Sequence, residues 1–568
     1  MKKSNFVKLI AIALLSVLLL GVMAACDRTP DAPGTNQPGT GVITQQPAGQ
    51  VELPSFMNPI GTLPIVNEPR TLQVFSGAGA NIDFATNLGA LEMEARTGVQ
   101  IDWIQVPTAD AVTRRNLMLA TGDLPDIFAN GVGTHAAVFH YASLGIFRPI
   151  TPWMDFAPEM QRMFSYHPNV HHNMILPDGH IYGWTTLDDC FHCSMNLKLW
   201  VYRPWLDNLG LEVPRTPEEL FDVLVAFRDG DPSGRGLNDE IPMAMGVLGW
   251  DHGPNTIINA WITNNQNRMI LNNGQIEVIY DTPEYRDALR FLNRLYNEGL
   301  LAPESFVTDR AGLRQIADSG PDGANIVGVK PAMWVGGTSS HWRDGQWIVI
   351  PYLIGPNGHQ VANYNPLMGD NRAVITSRVS DELMPVAVRW LDNKYTDESA
   401  LLMVQGIEGI NWRRAEPNEI GIHGRAGTWA RLPAQDPPVT NTHIGQIFPN
   451  FRSNEFRLGE VADRTIYEQE TILFDQSMLM LPHRDSIENI VPPLIFNEAV
   501  SAEIVDLETT LNNLVIESQA RFIVGDLCLD ADWDWYIREL NVIGLPRYLT
   551  LMQNAMNERV ARLAAHTN

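Results

Sequence analysis

TLQVFSGAGANIDFATNLGALEMEARTGVQIDWIQVP, residues Thr71–Pro107, switches between two apolar periods. TLQVFS (Thr71–Ser76) is a nearly continuous apolar run of strand length, the pattern of a strand buried on both faces. GAGAN follows as a loop. From Phe84 to Arg96 the apolar positions Phe84, Leu88, Leu91 and Ala95 keep helical spacing, Gly98 stops the helix, and VQIDWIQV is the next strand. Asp110 to Ala120, with Val112, Leu117 and Leu119 apolar, reads as a second helix, and DLPDIFAN carries a third strand from Asp126 to Ala129. Strand, helix, strand, helix, strand in this order predicts an α/β fold with a right-handed parallel sheet. Ligands of such sheets bind beyond the carboxyl ends of the strands. The loops Gly77–Asn81 and Asn130–Thr134 are therefore a candidate pocket wall, with Asn81 and Asn130 as partners for ligand hydroxyls.

The N-terminus places Lys2, Lys3 and Lys8 before an apolar run, Leu9 to Val22, that is too short for a flanked membrane span and reads as a signal peptide over 1–25. Met23, Ala24 and Ala25 precede Cys26 in the manner of a bacterial lipobox, with an ordinary secretory cleavage site as the other reading. Either one places the mature protein outside the cytoplasm. Residues 26–69, rich in Pro, Gly, Thr and Gln, read as a flexible tether. About 500 residues remain, too many for one ordinary core, so two or more lobes are expected. The net charge of -25 argues against nucleic acid as a partner. Cys190 and Cys193 are spaced for a disulfide, and Cys528 is expected as a small buried hydrophobe.

Further along, Thr216 and Thr282 each precede a proline and a helical stripe, the signature of an N-capped helix. In the second helix Tyr285, Leu289, Leu292 and Tyr296 form the apolar face, and Gly299 ends it. After Pro546 a last helix carries Leu549, Met552, Met556, Val560 and Leu563. Asp231, Ser233, Arg235, Gly236, Leu237, Asp239 and Glu240 approach the ligand spacing of an EF-hand-type loop. His167, His171, His172, His180, Cys190, His192 and Cys193 give zinc a foothold, although Pro168 and Asn169 argue for a loop there.

EMEARTGVQIDWIQVP, NLMLATGDLPDIF, PDGHIYG, LWVYRPWLDNLGLEVPRTPEELFDVLVAFRDGDPSGRGLNDEIPM, YNEGLLAPESF, GIEGIN and GLPRYL occur in this order. Together they resemble successive blocks of the extracellular solute-binding lipoproteins, family 1, of bacterial carbohydrate ABC transporters, in the LipO-type branch. The resemblance implies a type II periplasmic-binding-protein-like fold, two α/β lobes joined at a hinge with a central ligand cleft. By analogy the first lobe takes 70–182 and 372–440 and the second 183–371 and 441–568, with crossovers near 182–196, 352–372 and 431–442. It implies an extracytoplasmic, membrane-anchored monomer that performs no catalysis, captures an oligosaccharide and docks on ABC permease subunits.

Sugars present apolar faces and hydroxyl rims, so tryptophans, amides, carboxylates and arginines on loops are the candidates. Trp250 and Asp251 lie in a Gly/Pro-rich loop, and Trp334 stands where maltose-type binders place an aromatic ring, with Arg343 close behind. Trp184 falls where the resemblance starts the first crossover, and Glu408 and Trp412 belong to a block that faces the cleft. In several relatives the block at Asp231 holds a structural calcium. Here Asp231, Ser233, Asp239 and Glu240 either hold calcium with the Leu237 carbonyl, or form a metal-free turn closed by an Arg235 salt bridge. Two other readings compete: a binder of peptide or another polar solute, and a secreted glycoside hydrolase using carboxylates such as Asp188 with Asp189 or Asp532 with Asp534.

Overall fold

The computed structural model describes residues 53–246, 253–265, 267–445, 447–466 and 468–566. The compact unit begins at Leu53, and its first residues are packed: Phe56, Met57, Ile65 and Val66 are buried. Ile65 donates its N–H to the Thr97 carbonyl at 2.7 Å, and the Arg389 guanidinium reaches the carbonyls of Pro59 (3.0 Å) and Thr62 (2.9 Å). From Leu53 onward the expected tether is thus part of the fold, because four apolar side chains bury enough surface to order the segment.

Strand Arg70–Ala78 runs parallel to Val99–Pro107 over its whole length and, on its other side, to Ile127–Phe128. Ala373–Ile375 and then Gly183–Trp184 extend the same sheet through antiparallel pairings. Leu72, Val74 and Phe75 are fully buried, as a continuous apolar run between covering layers requires. The helix after this strand starts later than its periodicity predicts, at Leu88–Thr97. Asn441 holds the preceding turn, accepting from Asp83 N–H at 3.2 Å and donating to the Asp83 carbonyl at 2.9 Å, and Asn87 caps the helix through Ala90 N–H. These contacts shift its buried face to Ala90 and Met93 and leave Leu88 and Leu91 exposed. Phe84 instead stacks on Trp103 at 4.5 Å. The next helix, Ala111–Thr121, likewise buries Met118 and Leu119 while Val112 and Leu117 face solvent.

A second sheet of four strands takes the order Trp347–Ile350, Leu199–Tyr202, Val327–Pro331, Ile241–Met243. The last two strands are parallel, and Leu199–Tyr202 is antiparallel to both of its neighbours. Helix Pro217–Asp229 is capped by Thr216, which accepts from Glu219 N–H at 3.2 Å, while the Glu219 carboxylate accepts from Arg215 N–H at 2.7 Å. Thr282 caps helix Pro283–Asn297 through Tyr285 N–H, and Tyr285, Leu289 and Leu292 are buried on its inner face. The C-terminal helix Leu545–His566 buries Tyr548, Leu551, Met552 and Ala555 but exposes Val560, so its inward stripe is offset from the expected one.

Two large apolar cores result. One gathers residues between Phe56 and Leu187, between Ala373 and Met403, and Ile444, Phe448 and Phe451. The other gathers residues between Leu199 and Leu353 and between Val491 and Met552. The chain passes between them after Leu187, after Leu353, and again after Phe451 toward helix Gln469–Met480, whose Leu473 and Met480 pack with Trp200. This third passage lies beyond the expected 431–442, because Ile444, Phe448 and Phe451 still pack against the first sheet.

Phe56→Ala tests whether the segment from Leu53 belongs to the fold. Loss of a buried aromatic there should cost about 3 kcal/mol in denaturant unfolding, whereas a solvated tether would leave the midpoint unchanged.

Candidate functional site

The passages between the two cores are laced to one another. Asp188, at the end of strand Thr186–Asp188, accepts a short hydrogen bond from Arg452 and a second at 3.1 Å from Arg457. Arg457 turns its other amine to Glu470 at 3.1 Å, and His192 Nδ1 lies 3.8 Å from the same carboxylate. Burial works to lower the guanidinium pKa of both arginines. For Arg457, Asp188 and Glu470 outweigh it and hold the value above the ordinary one. His192 is pushed well below its usual range by burial and by the nearby Lys198 and Arg457 charges. Lys198, fully enclosed, donates to the carbonyls of His192 and Met195.

The second passage joins this junction. Thr185 Oγ1 donates to Asp370 at 3.0 Å and accepts the Asp370 N–H at 2.8 Å. Asn363 accepts from Leu197 N–H (3.1 Å) and from the Tyr352 hydroxyl (2.7 Å) and donates to Asn196 (2.6 Å). Gly183 is required beneath Asn371, since a Cβ there would lie 2.0 Å from the Asn371 Oδ1 atom.

Against this junction stand the strand-end loops of both sheets. In the first, Gly133 forms a bridge with Asn371, and Asn130 closes the loop on itself: its Oδ1 accepts from Gly77 N–H at 3.1 Å and its amide donates to the Gly77 carbonyl (2.9 Å) and Ser76 Oγ (3.1 Å). Asn130 therefore acts first as a clamp between two strand ends, with little capacity left for a ligand. Asn81 is exposed on the same loop cluster.

In the second, Trp334 follows strand Val327–Pro331 and is half-buried, edge-on to Trp342 at 4.9 Å and to Trp200 at 6.5 Å. The exposed Arg343 guanidinium lies 4.7 Å over the Trp342 ring. Trp334 and Trp342 share an apolar cluster with Met195 and Phe191 of the first passage. Two partly exposed indoles and an arginine beside them can offer apolar faces and hydrogen-bond donors together.

Other expected site residues fall elsewhere. Trp184 is 0% exposed, a strand residue of the first core that offers no face to a ligand. Trp412 is buried with Leu401 and Trp429 and donates its indole N–H to the Gly406 carbonyl at 2.9 Å. Glu408 is exposed, 3.6 Å from Arg414. Trp250 and Asp251 lie outside the described residues. Phe191, which tilts onto Phe474 at 5.5 Å, belongs to the cluster but gave no sequence signal beyond its place inside C-x-x-C.

Over 81% of its length this chain is 26% identical to the fructooligosaccharide ABC transporter substrate-binding protein FusA of Streptococcus pneumoniae, of which the match covers 85%. It is 23% identical to lipoprotein LipO of Bacillus subtilis, over 78% of the chain and 84% of LipO. No family model matches the chain. Its fold superposes on S. pneumoniae FusA in complex with kestose with a TM-score of 0.68 at 23% identity, covering 87% of this chain and all of that one. With an extracellular solute-binding protein of Bifidobacterium longum subsp. infantis the TM-score is 0.73 at 19% identity, covering 87% and 98% of the two chains. The protein has the type II solute-binding fold, and its relatives are ABC-transporter substrate-binding proteins. Hinges of this fold lie in its inter-lobe passages, and the junction around Asp188 and Asp370 lies where this chain passes between its two cores.

An EF-hand mutant of FusA has been solved in complex with fructo-nystose. In this chain both Asp231 oxygens accept the Gly236 N–H (3.1 and 3.0 Å), and Ser233 donates to Glu240 in a short hydrogen bond. Arg235 Nη2 contacts Asp239 Oδ1 at 2.5 Å. A guanidinium carries donors alone, so Arg235 supplies no oxygen to a divalent ion at this position.

At the zinc foothold the structure shows the expected disulfide. Cys190 and Cys193 form a disulfide, so although their ligand atoms and that of His192 lie within 4.8 Å of one another, the sulfurs are already bonded to each other. His171 stacks on Phe164 and His167 lies 3.4 Å from Asp189. Cys528 is exposed and free, contrary to expectation, because its neighbours Leu527 and Leu529 take the inward positions.

Removing the hinge carboxylate should be severe. Asp188→Ala leaves Arg452 and Arg457 as buried, under-compensated cations and should cost about 3–5 kcal/mol. Equilibrium unfolding in urea measures this, and a loss below about 1 kcal/mol, the scale of an exposed pair, would contradict a buried junction.

Proposed function

We propose that the protein is the substrate-binding component of an ABC importer for an oligosaccharide, held outside the cytoplasm by a lipid on Cys26 and docking on permease subunits. The observation that carries this reading is the paired, partly exposed Trp334 and Trp342 with Arg343 beside them, at a strand end of the second sheet and in one apolar cluster with the hinge. Flat indole faces suit the C–H faces of sugar rings, and the guanidinium suits their hydroxyls. FusA, named for fructooligosaccharide and solved in complex with kestose, supports a carbohydrate as cargo.

Binding requires no bond to be made or broken. A glycan that touches both lobes binds the closed form more tightly than the open one and raises its population by that differential affinity. The closed form then presents a surface to the permease that the open form lacks. One carboxylate of each pair in the hydrolase reading is engaged: Asp188 with two arginines, and Asp532 with the Cys528 N–H at 2.8 Å.

Thermal unfolding against a panel of fructans, plant and microbial oligosaccharides tests the reading. A cognate glycan at about 100 times its Kd should add roughly 2.7 kcal/mol of stability, with the glycan recovered intact on chromatography. Trp334→Ala should weaken its binding tenfold or more, about 1.4 kcal/mol, while Trp412→Ala should lower stability and leave Kd unchanged. Cleavage of the glycan, or no binding across the panel, would overturn the proposal.

A further inference from the structure

The loop Asp231–Glu240 has the backbone of a cation-holding turn without the ligands for a metal. Asp231, Gly234, Gly236 and Asn238 all adopt positive φ, the conformation that folds a short loop back around a centre. Asp231 draws in the Gly236 N–H with both carboxylate oxygens, and Ser233 bonds to Glu240 and, at 3.4 Å, to Asp231. Asp231, Asp239 and Glu240 thus concentrate negative charge around a partly buried interior. In an EF-hand loop that charge is neutralised by calcium, with a side-chain oxygen at the fifth position and a bidentate glutamate at the twelfth. Here the fifth position is Arg235, while Asp231, Ser233, Asp239 and Glu240 keep the other side-chain oxygens of the expected set.

We propose that the Arg235 guanidinium is the loop's own resident cation, so that the loop folds and holds its place without a divalent ion. The side chain reaches one carboxylate of the loop and a carbonyl beyond it. Its Nη2 pairs with Asp239 at 2.5 Å, with both side chains partly shielded (22% and 31% exposed), and its Nη1 points to the Asn325 carbonyl at 3.5 Å. A calcium ion bound to Asp239 at the usual 2.3–2.6 Å would stand beside that fixed positive charge, and repulsion at this range in a partly desolvated site opposes its entry.

The place of the loop gives the substitution its consequence. It runs directly into strand Ile241–Met243, which is parallel to Val327–Pro331, with Ile241 opposite Val327. Arg235 therefore fastens the loop to Asn325, at the start of the strand whose far end leads to Trp334. Asn208 adds a second tie through the Pro232 carbonyl at 2.9 Å. The covalently supplied cation makes the stability of this edge independent of the calcium concentration outside the cell, where a free-ion site would fill and empty with supply.

Elemental analysis of the protein after equilibration in millimolar calcium, and its unfolding midpoint in calcium against EGTA, test this directly. The native chain should retain no stoichiometric calcium and should unfold at the same temperature in both buffers. Arg235→Asn should lower the midpoint in EGTA by about 2 °C or more, and Arg235→Lys, which keeps the charge, should recover part of that loss. One calcium per native chain, or a native midpoint that falls in EGTA, would overturn the proposal. So would an Arg235→Asn midpoint in EGTA equal to that of the native chain. The native-chain measurements stand even where a variant fails to fold.

Discussion

One carboxylate, that of Asp188, receives the buried Arg452 and the partly buried Arg457 from far along the chain, and ties the first passage between the cores to the third. Arg452 and Arg457 come from the third passage between the cores, and Asp188 ends the strand that opens the first. A buried ion pair of this kind is a weak source of net stability, because desolvation offsets most of the attraction. Its value is directional: the guanidinium forks accept few orientations of the carboxylate, so they fix how the passages lie side by side. Glu470 extends the same network into the helix that packs on Trp200, so a tilt of that helix is felt at Asp188.

Around that junction the fold keeps its rigid and its adaptable parts apart. Asp370 and Thr185 exchange two hydrogen bonds, and Asn371 fills the space that Gly183 leaves open. These contacts are short in range and partly buried, and they tie the first two passages to each other. Trp334, Trp342 and Arg343 stand on a loop of short turns at the edge of one apolar cluster, where their side chains meet through ring contacts while Asp318 and the Gly323 carbonyl hold the loop at Ser340 and His341. Side chains supported in this way can adjust to a ligand face while the sheet behind them stays fixed.

Much of the frame was legible in the sequence. The continuous apolar run at Leu72, Val74 and Phe75 can be satisfied only between two layers, and the Thr-Pro caps at Thr216 and Thr282 act where their spacing predicts. Local periodicity misled where distant polar groups intervene. Asn441 bonds to the turn before helix Leu88–Thr97 and rotates the buried face away from Leu88 and Leu91. The site was harder to read because a tryptophan's burial is decided by tertiary contacts: Trp184 and Trp412 are enclosed, while Trp334 keeps part of its face open. Nothing in local sequence could join Asp188 to arginines 264 and 269 residues away. At Arg235 the sequence left calcium and a metal-free turn both open, and the salt bridge to Asp239 expected for the second is present in the structure.

Small-angle scattering of the protein, alone and saturated with its glycan, bears most directly on the claim that two lobes close about the Asp188 hinge over a carbohydrate. The account predicts a smaller radius of gyration in the bound state, together with a change in tryptophan emission that Trp334→Ala and Trp342→Ala diminish. An unchanged radius of gyration at saturation, with emission unaffected, would contradict it.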